Sequence, residues 1–180
     1  HLIFRNDSMQ ALVYNGKIDS IPVDNINVSI PVLGHNKDIL NITGTVKTDM
    51  QKGMHYLQNS PLINKLKALQ TMQLSGPMEL ALQLAITLYP GGSDHVNGQV
   101  KMNNDKLFLT NWKLSLNNIT GILSFNEKGI NAKNLQSKLF NQATKLSLAT
   151  VAATKTNAKQ TVINLDGILD VDSLRNYFSI

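Results

Sequence analysis

The chain has 180 residues, of which 42% are apolar. That is enough for one sizeable core, and nothing in the composition demands a second domain, so 1–180 is read as a single unit. The absence of cysteine excludes a disulfide framework or a thiolate metal site, and no run of about 18 apolar residues exists to cross a bilayer as a helix. The 17 basic and 12 acidic residues leave a formal charge of +5, but the basic ones are dispersed and only Arg5 and Arg175 are arginines, so the charge reads as a solvated surface and no nucleic-acid partner is expected.

The chain opens on HLIFRNDS with no basic-then-apolar leader, and is expected to be a segment of something longer. IFRN, ALVY and the alternation Ile26, Val28, Ile30 predict short strands over 1–49. A helical insertion is expected over 50–72, since Met50, Met54 and Leu57, then Leu62, Leu66 and Leu69, recur at helical spacing. Ser60-Pro61 divides it into a pair around 50–71, with Ser60 suited to cap and Pro61 to open the second helix. That pair is expected to plug or cap one end of a sheet.

From Gly76 the stretch GPMELALQLAITL has an apolar residue at every second place: Met78, Leu80, Leu82, Leu84, Ile86 and Leu88. Strict period two predicts a strand with one apolar face, which something apolar must cover. Pro90-Gly91-Gly92-Ser93 is expected to close it. Asn103-Asn104-Asp105 and Asn126-Glu127-Lys128-Gly129 read as turns between the strands that follow. Lys47, Lys101, Lys113 and Lys145 fall on polar places of alternating strands. At the end of the chain, VDSLRNYF predicts a helix start over 172–180, capped by Asp172 or Ser173.

An apolar-x-Gly-x-apolar pattern recurs around Gly44, Gly76, Gly98, Gly121 and Gly167, with Thr144 where a further copy is due. The unit of about 23 residues fits one antiparallel hairpin, so 73–171 reads as hairpin repeats. Each glycine shares parity with its apolar neighbours, and inward glycines are expected where a sheet bends or another body lies close. The expected fold is therefore mainly β: a long antiparallel meander curled into an open groove, half-barrel or taco-like. Its wall is expected to carry Met78, Leu80, Leu82, Leu84, Ile86, Leu88, Val96, Val100, Met102, Leu114, Leu116, Ile119, Leu123, Phe125, Leu146, Leu148 and Leu169. The competing arrangement is a β core filled by its own side chains, acting as a scaffold or binding module.

Catalytic signals are missing. His1, His35, His55 and His95 lie in separate segments, none in an H-E-x-x-H or paired ligand spacing. His35 with Asp38, and Asp94 with His95, read as solvated loop neighbours. No G-x-S-x-G or phosphate-cradling loop is present, so no enzyme, metal or cofactor is expected. The sequons at Asn27, Asn41 and Asn118 sit inside predicted strands and are discounted. Trp112 and Phe125 are expected in the core.

GPMELALQLAITLYP, VNGQVKMNNDKLFLTNWKLSLNNITGILSFNEKGINAKNLQSKLF and, earlier, MHYLQNSPLINKL occur in an order that resembles the AsmA-like family of bacterial envelope proteins. The likeness runs from about Ile26 to Leu148, and departs from the pattern in its Asn-rich outward residues and at Thr144. It implies a Gram-negative, inner-membrane-anchored parent whose periplasmic part forms a curved β-groove for phospholipid or other acyl-chain lipid moving between inner and outer membrane. Burying an acyl chain is worth about 0.8 kcal/mol per methylene, and sliding along a uniform wall exchanges equivalent contacts, so no reaction is required. A dozen strands about 4.8 Å apart give a wall of order 55 Å, one section of a conduit.

Overall fold

The structure, a computed structural model, describes residues 1–18, 21–34, 36–59, 72–153 and 160–178. Alternating sequence gives strands β1 (Leu2–Arg5), β2 (Ser8–Val13), β3 (Gly16–Ile18), β4 (Ile21–Ile30) and β5 (Ile39–Asp49). Helix α1 (Met50–Gln58) follows directly. After it come β6 (Met72–Ser75), β7 (Pro77–Thr87), β8 (His95–Leu109), β9 (Leu114–Asn126), β10 (Gly129–Leu139), β11 (Gln142–Val151), β12 (Gln160–Gly167) and helix α2 (Val171–Phe178). The expected first helix is α1; the expected second one, with Ser60-Pro61, lies outside the described residues.

All pairings are antiparallel, and the sheet runs β1-β2-β4-β5-β7-β8-β9-β10-β11-β12. Two short strands complete it. β3 pairs with Ile21–Val23 of β4, end to end with β2 on the same edge, and β6 pairs with Lys106–Leu109 of β8, end to end with β7. β6 and β7 are in effect one strand broken at Gly76, whose φ of +124° suits a residue without Cβ.

The expected curl into a half-barrel is corrected: the sheet is neither closed nor strongly curled, and β1 and β12 remain its two edges. The room beside the inward glycines is occupied. A Cβ on Gly98 would strike the Phe125 ring directly opposite, one on Gly121 would strike Leu135, one on Gly44 would meet Ile26, and one on Gly167 would meet Thr144. Space that a tighter bend would use up is filled by cross-strand side chains, which packing at interior density resists compressing.

The turn expected at Asn103-Asn104-Asp105 is also corrected. These residues are a bulge inside the 15-residue strand β8. Asn104 adopts φ +65°, and the strand's buried parity passes from Val96, Val100 and Met102 to Asp105, Leu107 and Leu109 across it. Neighbouring strands repeat the device at Asn118 (φ +53°) and Asn134 (φ +53°), each where the register shifts. Asparagine tolerates this left-handed geometry better than other L-residues. The Asn118 amide donates to the Asn104 side-chain oxygen, and the Asn134 N–H donates to Ser147 Oγ at 3.1 Å.

The turn at Asn126–Gly129 is present, with Asn126 Oδ1 accepting the N–H groups of Lys128 and Gly129 at 2.9 and 3.2 Å. The loop at 88–94 likewise closes β7, and Asp94 accepts the Thr87 N–H at 3.0 Å. Helix α2 is capped earlier than expected. Asp170 accepts the Ser173 N–H (3.0 Å) and hydroxyl (2.8 Å), which places the cap two residues before Asp172. Trp112, expected in the core, is 58% exposed in the turn between β8 and β9.

Candidate functional site

Cross-strand register turns period two into rows across the sheet. One row runs Leu82, Gly98, Phe125, Ile130; the next runs Leu80, Val100, Leu123; a third runs Met78, Met102, Gly121. β10 and β11 extend the face through Leu135–Leu146 and Ala132–Leu148, and β12 through Leu165 and Ile163. On the other side of β7, Ile42, Gly44 and Val46 lie opposite Leu84, Leu82 and Leu80. The reverse face is polar: Lys47 lies opposite Glu79, 4.0 Å apart, and Glu79 opposite Lys101. Such an exposed pair contributes little to stability.

The face is not uniformly covered. Val96, Val100, Met102, Leu116, Ile119, Leu123, Phe125, Leu146 and Leu148 are buried, as is Met78. Leu80, Leu82, Leu84 and Ile86 are only half-buried, as are Ile42 and Val28 beyond them. Leu114 and Leu169 are half-buried against the core. Leu88 falls off the face: it is 52% exposed past the end of β7, its N–H bonded to the Asp38 carbonyl at 2.9 Å. Apolar wall therefore passes from a packed region on β8–β11 to an open one on β4, β5 and β7.

Between the wall and α1 lies an apolar cavity of about 110 Å³. Of the expected wall residues, Met78, Leu80, Leu82, Val100, Met102, Ile119, Leu123, Phe125, Leu146 and Leu148 line it. Leu84, Ile86, Leu88, Val96, Leu114, Leu116 and Leu169 do not. The helix supplies Met50, Gly53, Met54 and Tyr56, and the sheet adds Met72, Leu74, Leu107 and Leu135. These eight were not expected as lining. The helical spacing of Met50 and Met54 marked an apolar stripe without saying what it meets. Leu107 and Leu135 lie beyond the bulges, where simple parity counting fails.

Among the described residues three polar side chains are buried: Ser137 and Thr144, whose hydroxyls share a hydrogen bond at 3.0 Å, and Asp105. Asp105 is wholly buried, with Oδ2 accepting the Asn103 N–H at 2.9 Å and Oδ1 without a hydrogen-bond partner among the described residues. It fills the space at Gly76, where a Cβ would collide with the carboxyl. Burial pushes its pKa above the ordinary carboxylate value; the Asn103 N–H opposes this and the charge of Asp49 adds to it.

No cluster of three or more His, Cys, Asp or Glu among the described residues is placed to hold a metal ion. His95 Nδ1 lies 3.6 Å from Glu127 Oε1 on the surface. No helix among the described residues is long and apolar enough to cross a membrane.

Together the fold and the face define a one-faced antiparallel β-sheet protein, with an apolar wall partly packed, partly open and crossed by a short helix. The chain belongs to the YhdP family, whose model, described as YhdP protein, matches residues 1–180. It is similar to the intermembrane phospholipid transporter YhdP of Escherichia coli (strain K12), with 28% identity over 167 residues. That match covers 92% of this chain and 13% of the E. coli protein, so the chain spans a small part of the length of its relative. No solved structure matches it.

Proposed function

We propose that this chain is a section of a periplasmic hydrophobic conduit, part of an inner-membrane-anchored protein, that carries phospholipid acyl chains between the inner and outer membranes. It acts without catalysis or cofactor. The observation that carries this reading is the wall on β4, β5 and β7, where Val28, Ile42, Leu84 and Ile86 stay part-buried outside the cavity under α1, on a face whose reverse is polar. A row of part-covered apolar side chains offers an apolar ligand surface to bury, and the named function of the E. coli relative supplies the ligand class. Acyl chains would lie across the strands, along the rows, with headgroups in water. The five glycines, Gly44, Gly76, Gly98, Gly121 and Gly167, would make room for the side chains that pack against them, Ile26, Asp105, Phe125, Leu135 and Thr144, and the hairpins over 73–171 would be the wall's repeated unit.

A second reading, a scaffold with a self-filled β core, draws on the other half of the face, where Leu116, Ile119 and Leu146 are 0% exposed. Mass spectrometry of lipid extracted from the purified chain separates the two. The conduit reading expects stoichiometric co-purifying phospholipid and labelling of lipid by a photo-crosslinker at Leu84. Lipid-free protein with no labelling at Leu84 leaves the scaffold.

A further inference from the structure

Five of the six methionines in the chain, Met50, Met54, Met72, Met78 and Met102, surround the cavity between α1 and the wall. Its 110 Å³ is smaller than a cavity of about 150 Å³ that admits one benzene ring, so with α1 seated this part of the wall lacks room for the length of an acyl chain. The lining suits rearrangement. Methionine is unbranched, polarizable and able to refill irregular gaps after a neighbour moves.

Helix α1 is itself weakly built. Nine residues are fewer than the roughly 12–15 that hold a helix in water without packing, and Gly53 at its middle costs about 1 kcal/mol relative to alanine. The glycine has a packing reason: a Cβ there would collide with the methyl group of Met78. The helix seats by fitting its bare backbone over that side chain. Its hydrogen-bonded attachment to the sheet, among the described residues, is at its first residue, where the Met50 N–H donates to the Gly76 carbonyl at 2.8 Å. A helix whose described hydrogen bond to the sheet is at its first residue, and whose seat is built largely of methionines, can lift as a lid.

Resting on the conduit reading, we propose that α1 is a displaceable lid that closes the wall at Met78–Met102 and must lift for an acyl chain to pass. The chain has no cysteine, so Gly53→Cys with Met78→Cys introduces a unique pair that a short bifunctional thiol reagent can join. A photoreactive residue is placed at Met102, under the lid, or at Leu84, outside the cavity, and the protein is irradiated with vesicles of phosphatidylethanolamine and phosphatidylglycerol. Joining the pair is expected to reduce lipid labelling at Met102 by about tenfold, as the open fraction is removed, while labelling at Leu84 persists. In the otherwise native chain, Gly53→Leu should prop the helix off and raise labelling at Met102 severalfold. Equal labelling at Met102 in joined and unjoined protein overturns the lid and leaves the conduit standing. No labelling at either position in either state overturns the conduit reading and the lid with it.

Discussion

At the scale of single residues, the wall contains one chemical anomaly, the Asp105 carboxyl among leucines and isoleucines. It relieves the backbone at the bulge by accepting the Asn103 N–H, yet leaves one oxygen unpartnered. Because its folded-state pKa is raised above the ordinary 3.8, the folded chain holds that proton more tightly than the unfolded one. Stability contributed at this position is therefore greatest below the ordinary carboxylate range and is lost as pH rises through it to the raised value. Asp105→Asn keeps an acceptor for Asn103 and removes the charge. Its urea midpoint should exceed that of the parent at pH 7, by about 1–3 kcal/mol in unfolding free energy, and the gap should shrink toward about pH 3.5. A gap that does not change with pH would show that the carboxyl is not the titrating cause. None of this was legible in Asn-Asn-Asp, which is ordinary turn composition. Only the partner strands reveal that the aspartate faces inward.

Elements show a similar division. β7 was readable from its alternation alone, because a strand with one buried face must repeat with period two. β8, β9 and β10 were readable only in pieces, since Asn104, Asn118 and Asn134 each insert a residue and reset which parity points inward. The local cue, a pair of polar residues in an apolar alternation, is shared by turns and bulges; pairing with the next strand decides between them. The positive φ at Asn134 makes the device testable. Asn134→Val should cost about 1–2 kcal/mol from left-handed backbone strain, and Asn134→Gly should lie within about 0.5 kcal/mol of the parent, both read from urea midpoints. Equal losses for the two would mean the bulge itself is not held by backbone preference. α1 and α2 repeat the lesson. Their helical spacing was visible, but the cap of α2 proved to be Asp170, just ahead of the apolar pattern that drew attention.

For the molecule as a whole, rows of side chains across the strands matter more than any one strand. Leu84 and Gln83 are adjacent in sequence and point to opposite faces, which makes them a matched pair. Leu84→Arg places a charge on the open wall, where it cannot be desolvated cheaply; Leu84 is only part-buried, so the variant should still fold, which a urea midpoint beside the parent's checks. We expect severalfold less co-purifying phospholipid for Leu84→Arg and an unchanged amount for Gln83→Arg, measured by mass spectrometry per mole of protein. Equal effects would remove the distinction between the faces on which the conduit reading depends.

From sequence alone it was settled that this chain makes antiparallel strands with one apolar face, and that its charges, Asp105 excepted, belong away from it, because side-chain alternation is a local property of extended backbone. Whether that face curls shut, packs on itself or stays open was decided only in three dimensions. It depends on what occupies the space at Gly98, Gly121 and Gly167, on register resets at the asparagine bulges, and on a helix whose seat at Gly53 is shaped by a methionine in a distant part of the sequence. Those are contacts between separate elements, and local spacing carries no record of them.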